Sequence, residues 1–159
     1  MFVAVFAPMA AEAVRANRNE RIQRARGGIE PPGDVYGLMR IAYPGLFLAL
    51  LVEGALRGAP PRGMLMIGAL VFAAAKSLKW WAIRALGPFW TFRVIVLPGA
   101  DLVTAGPYHY LRHPNYVAVL GELVSVALMT GARFAGPVAV VVFGALILRR
   151  MTVEDRALR

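Results

Sequence analysis

Apolar side chains run through this chain in stretches too long and too unbroken for the half-buried helices of a soluble domain, and polar clusters divide them. Residues 36–56 form the clearest stretch, about twenty residues with only Arg40 and Glu53 near the ends. A helix needs about 20 residues, at ~1.5 Å each, to cross a ~30 Å hydrocarbon core. Residues 64–81 form a second stretch that leaves through Lys76, Lys79, Trp80 and Trp81, read here as snorkelling and belt side chains at the interface. Residues 1–14 are apolar apart from Glu12 and reach only ~21 Å as a helix, so the helix is expected to continue into the polar sequence behind them. No basic segment precedes this stretch, which predicts a first span rather than a cleaved signal. Residues 116–130 and 134–148, joined by Gly131-Ala-Arg133, predict a helical hairpin. Its arms reach only ~22 to 24 Å, so they must tilt or thin the bilayer to cross it.

The polar segments complete the outline. Residues 15–26 hold five arginines against one glutamate, closed by Gly27-Gly28 and Pro31-Pro32-Gly33, and read as a helix end among lipid headgroups. Residues 87–115 are a long polar connection expected to be irregular, although Arg93-Val-Ile-Val-Leu97 alternates as a short strand would. The predicted architecture is all-α: a polytopic membrane protein of about five transmembrane helices with a C-terminal helical hairpin. It is one integral membrane domain over 1–159, with N-terminal helices in 1–86 and the motif region in 87–159.

Composition agrees, at 58% hydrophobic residues over 159. A net charge of +9 would elsewhere point to nucleic acid, but the basic residues lie between apolar runs and no separate basic domain exists to hold a duplex. Here the charge reports topology. With the N-terminus outside, five spans leave Arg57, Arg62 and Arg133 outside and the other fifteen of eighteen basic residues inside, as the positive-inside rule requires. The C-terminus is then cytoplasmic. The richness in Ala, Arg and Gly suggests a bacterial source, hence an inner membrane. The absence of cysteine excludes disulfides, thiolate metal sites and a cysteine nucleophile. Two histidines and scattered carboxylates give no metal-ligand spacing, and no Gly-x-Gly-x-x-Gly marks a nucleotide fold. Nothing in the sequence reports oligomeric state.

Chemistry is densest in Thr-Ala-Gly-Pro-Tyr-His-Tyr-Leu-Arg-His-Pro-Asn-Tyr, residues 104–116, which holds both histidines and three of the five tyrosines. Gly106-Pro107 stops a helix, and His113 before Pro114 is confined to an extended or turn conformation, so a new helix can start at Pro114. An apolar run follows at once. That is the layout of an active site at a membrane interface. About forty residues later comes Arg150-Met-Thr-Val-Glu154-Asp155-Arg-Ala-Leu158. Gly106-Pro107-Tyr108, Arg112-His113-Pro114-Asn115-Tyr116 and Glu154-Asp155-Arg156-Ala157-Leu158, in that order and spacing, resemble the isoprenylcysteine carboxyl methyltransferase family of integral membrane enzymes. Asp155 departs from the family's second glutamate.

The resemblance implies a methyltransferase that uses S-adenosylmethionine, with Tyr108, His113, Pro114, Tyr116, Arg150, Glu154, Asp155 and Leu158 around the cofactor and Arg112 in catalysis. The cofactor's amino-acid end is zwitterionic. Arg112, His113 and Tyr116 can donate to its carboxylate, and Glu154 with Asp155 can take its ammonium. Blander roles stand beside these: His113 as a helix cap, His109 among headgroups, and Glu154 and Asp155 as a solvated face balancing Arg149, Arg150 and Arg156. Glu122 lies within an apolar run, where an ionisable side chain is costly unless it faces a polar interior. It reads as a catalytic base or substrate contact, or as a partner of Lys79, Arg133 or water. The expected acceptor is a carboxylate or enolic oxygen of a lipid-like molecule entering from the bilayer. In a bacterium, a long-chain alkylpyrone fits better than a prenyl-cysteine. A phospholipid amine N-methyltransferase and a non-catalytic membrane adaptor are the alternatives.

Overall fold

The structure is a computed structural model that describes residues 1–157. Five helices follow one another: α1 (Phe2–Ala25), α2 (Tyr36–Arg57), α3 (Arg62–Leu86), α4 (Pro114–Thr130) and α5 (Ala135–Ala157). Short 3₁₀ turns at Gly87–Phe89 and Gly106–His109 punctuate the connection between α3 and α4. The described residues contain no strand; the alternating 93–97 segment contributes one antiparallel bridge, Ile29 to Val96. The predicted all-α polytopic architecture is what is observed.

The helices differ in their fitness to cross a bilayer. Tyr36–Arg57, Arg62–Phe89 and Ala135–Ala157 are long and apolar enough, while Pro114–Thr130 is apolar but shorter. α1 runs unbroken for 24 residues, but its second half carries the arginines, so its apolar part stays short. The fold therefore has three full-length candidate spans and a shorter fourth, against about five expected.

That arginine-rich half is held by polar side chains. Asn19 donates to the carbonyls of Gly87 (3.0 Å) and Trp90 (2.8 Å), and Gln23 donates to that of Pro88 (3.0 Å). A helix end leaves carbonyls without intrahelical partners; α1 satisfies those beyond α3, while Arg18, Arg21 and Arg24 stay on its exposed side. At the other end of the bundle, Gly131 closes α4 with a left-handed φ of 66°. Glu53 of α2 then caps α5, accepting from the Phe134 and Ala135 amides at 3.1 and 2.6 Å. A carboxylate there meets both the orphan N–H groups and the positive end of the helix dipole.

Phe47 and Leu50 of α2, Leu123 and Val126 of α4, and Phe143 and Ile147 of α5 form the core, with Val5 of α1. Between α3 and α4 small residues let the backbones approach, as in many membrane helix pairs. A Cβ placed on Gly68 would stand 2.9 Å from the Ser125 carbonyl oxygen and 2.7 Å from Met129 Cγ. Gly68→Ala is expected to destabilise by about 1 to 2 kcal/mol: overpacking costs roughly 1 to 3, and helix propensity returns at most about 1. Unfolding in mixed detergent measures it, and a stability equal to or above wild type contradicts the close approach.

Candidate active site

The loop before α4 is pressed against α3. Gly106 has φ 62°, and a Cβ there would lie 2.9 Å from Ala85 Cβ and 3.1 Å from Trp81 Nε1, so both backbone sign and space call for glycine. The 3₁₀ turn that starts there sets Tyr108 toward the interior. His113 is the residue before α4, with no side-chain cap bond, and Pro114 takes the first helical position, where its missing N–H costs nothing. Instead of capping, His113 places Nε2 at 3.2 Å from Asp155 Oδ1 and Nδ1 at 3.8 Å from Glu154 Oε2. Tyr116, in the first turn of α4, donates to Glu154 Oε2 at 2.7 Å and accepts from Arg150 Nε at 2.8 Å. The two motif segments, some forty residues apart in sequence, thus interlock side chain to side chain. Arg112 stays at the surface, its side chain 80% exposed and 3.5 Å from Asp155. Leu158 lies outside the described residues.

Asp34 gives no such signal in the sequence, yet it ties the site together. Its Oδ1 accepts from Arg150 Nη1 (3.1 Å) and the Tyr36 amide (3.0 Å), and its Oδ2 accepts from the Val94 amide (2.9 Å). One buried carboxylate therefore joins α5, the start of α2 and the loop after α3.

These residues open onto a cavity of about 690 Å³, within the ~300 to 1,000 Å³ usual for small-molecule sites. Tyr108, His113, Tyr116, Arg150 and Glu154 line it on the motif side, and Phe6, Met9, Met39 and Phe143 on the helix side. Burial pushes the Tyr108 hydroxyl pKa up and the Glu154 charge pushes it further, so Tyr108 is a neutral donor. Residues 89–95 wall the cavity. They are tethered through Arg93, which donates to Glu30 Oε1 at 2.7 Å and lies 4.7 Å above the Tyr36 ring.

Burial alone would raise the Glu30 carboxyl, but hydrogen bonds from Arg24 and Arg93 outweigh it and hold the pKa below the ordinary value. A depressed carboxylate contributes stability above its unfolded pKa and loses it as pH falls through the folded one. Amide exchange in 89–95 should therefore quicken as pH drops below about 4.5, after correction for intrinsic rates, and Glu30→Gln should remove that pH dependence. A step that persists in the variant assigns it elsewhere.

The isoprenylcysteine carboxyl methyltransferase (ICMT) family matches this sequence over residues 66–159, which include both motif segments. The chain belongs to this family. With its long apolar helices it is an integral membrane protein. It is 31% identical to an uncharacterized protein, YpbQ, of Bacillus subtilis over 94% of this chain and 89% of the relative. An uncharacterized protein of Haemophilus influenzae is 23% identical over 89% of this chain and 83% of its own length. No solved structure matches.

Part of the cavity's polar wall lies in the helices, and Glu12 and Tyr43 lie outside the family match. Glu12 of α1, Tyr43 of α2, Lys76 and Lys79 of α3 and Glu122 of α4 form one buried cluster. Lys79 Nζ is 2.7 Å from Glu12 Oε2 and 3.2 Å from Glu122 Oε2. Lys76 Nζ is 3.2 Å from Glu12 Oε1 and 3.0 Å from Glu122 Oε1. Tyr43 donates its hydroxyl to Glu122. This corrects the sequence reading of the two lysines as outward snorkels: Lys79 is 2% exposed. They share a helix face with Ala75 and Ala82, which packs inward, and each meets carboxylates there. Of the side chains considered as partners for Glu122, Lys79 is in contact with it, and Lys76 joins it. Glu12 was legible as the single charge in an apolar run; Tyr43 carried no signal.

Proposed function

We propose that the protein is a membrane methyltransferase that moves a methyl group from S-adenosylmethionine to a carboxylate or enolic oxygen of a lipid-like acceptor, an alkylpyrone among the candidates. One observation carries the reading: both family motifs converge on a single cavity whose opposite wall is made by apolar helices. The donor set suits the cofactor. His113 and Tyr116 on the cavity wall, with the exposed Arg112, can serve its carboxylate, and Glu154 and Asp155 its ammonium, once the pairs these groups make with one another open to the cofactor. Trp90 Nε1 and Asn115 Oδ1, on residues lining the cavity, are buried without hydrogen-bond partners, a donor and an acceptor of the kind an adenosine needs. Pro114 fixes the start of α4 behind them. Bound there, the cofactor supplies an electrophilic methyl on a cationic sulfur.

The protein's own part is positioning. It holds the two reactants in line and shields them from water, which can supply roughly 7 to 11 kcal/mol of the barrier. The excess of basic residues on one side favours a cytoplasmic motif face. Calorimetric titration of the detergent-solubilised protein with S-adenosylhomocysteine, followed by radiolabelled transfer to acceptors of graded tail length, tests the proposal. Binding is expected, with transfer that depends on a tail. Absence of binding overturns the cofactor reading, and equal transfer to a tailless, water-soluble acid overturns entry from the bilayer. Transfer only to phospholipid amines selects the N-methyltransferase alternative.

A further inference from the structure

We infer that the cluster of Glu12, Lys76, Lys79, Glu122 and Tyr43 is the recognition site for the acceptor's polar head, and that it selects an uncharged hydroxyl-bearing head over an ionised carboxylate. The inference rests on the methyltransferase reading and narrows its acceptor. Glu12, Tyr43 and Lys79 line the same cavity as the motif residues, so a molecule seated there meets both. Five ionisable side chains on four different helices, inside an apolar bundle, are a costly arrangement to keep for packing alone.

Charge counting decides the class of head. Glu12 and Glu122 are balanced by Lys76 and Lys79, each lysine bridging both carboxylates within 3.2 Å. α2 adds Tyr43, whose hydroxyl is already given to Glu122 and lies 3.4 Å from Lys79 Nζ. α5 adds the apolar ring of Phe143, 5.1 Å from the Tyr43 ring. Within this buried cluster no cation is left over for an incoming anion; Arg40 of α2 also lines the cavity, but it is exposed and is not part of the cluster. A carboxylate would bring an uncompensated negative charge into low dielectric, where desolvation outweighs a share of an occupied lysine. A hydroxyl enters without net charge and can both donate and accept. It can give its hydrogen to the Glu12 carboxylate and accept from Lys79 while every existing pair remains balanced.

The test is binding in lipid nanodiscs without cofactor, using a long-chain alcohol and a fatty acid of matched tail, at a pH where the acid is ionised in the bilayer. Affinities are corrected for partitioning into protein-free discs. Wild type should bind the alcohol at least about tenfold more tightly than the carboxylate. Glu12→Gln preserves shape but leaves one lysine charge free, so it should reverse the preference, and Glu122→Gln should do the same if the first variant folds poorly. Equal binding of both heads by wild type, or a ratio unchanged in the two glutamine variants, overturns the inference. S-adenosylhomocysteine titration of the same preparations separates the two levels. If it binds and neither tailed ligand does, the head-group site is wrong. If it does not bind while the preference and its reversal are seen, the methyltransferase reading fails instead.

Discussion

Lys79→Met should unfold far more easily than wild type, by about 3 to 5 kcal/mol, the range for stripping one partner from a buried ionic group. The variant keeps an apolar side chain of similar length, so packing changes little and the loss is electrostatic. Two carboxylates, each 1% exposed, would then share the single ammonium of Lys76. The sharper forecast concerns sign. Adding Glu12→Gln to Lys79→Met restores one carboxylate to one lysine, so the double variant should be more stable than the single one although it has lost another ion-pair partner. Denaturation in mixed micelles, read by tryptophan fluorescence, distinguishes the cases. If the second substitution only adds further loss, the cluster is not balanced in the way the distances indicate.

Arg150→Met should cost about 3 kcal/mol and also reduce affinity for S-adenosylhomocysteine by at least about tenfold. Arg150 is 6% exposed and spans two partners, Tyr116 through Nε and Asp34 through Nη1. Losing it leaves Asp34 with two amides and no cation, and frees the ring that positions Glu154. Arg150→Lys offers a compact ammonium in place of a fork, so it should recover one contact and an intermediate affinity. Full recovery by lysine would show that charge alone, without the fork, holds the site.

The helical stretches were legible because membrane spans announce themselves by length and composition, and the motif segments because their order and spacing are those of a family that the chain matches. His113, Tyr116, Glu154 and Asp155 meet because α4 starts at Pro114 and α5 runs on past residue 148 to its last turns, whereas the sequence pattern ended the apolar run at Leu148. Lys79 was misjudged for a physical reason: beside two tryptophans at a helix end, a lysine directed to headgroups and one directed inward differ only in rotational phase. The phase is set by which neighbouring helices carry glutamates. Asp34 was invisible because its role depends on three segments arriving together, and a lone aspartate in a Pro-Gly loop resembles ordinary turn chemistry. The Glu53 cap was hidden likewise, since its partners lie some eighty residues further on.

The recognisable family region begins at residue 66, yet Glu12, Asp34 and Tyr43 reach into it from upstream. Exchanging the first two helices between relatives is therefore not a neutral graft. A donor helix that lacks an acid opposite Lys79, or a loop that lacks one opposite Arg150, would leave a buried positive charge in excess, and such chimeras should be markedly less stable than the parent chains. Grafts that carry these acids across with the lysines and the arginine they serve should assemble, so compatible breakpoints follow the ionic pairs and not the edge of sequence similarity.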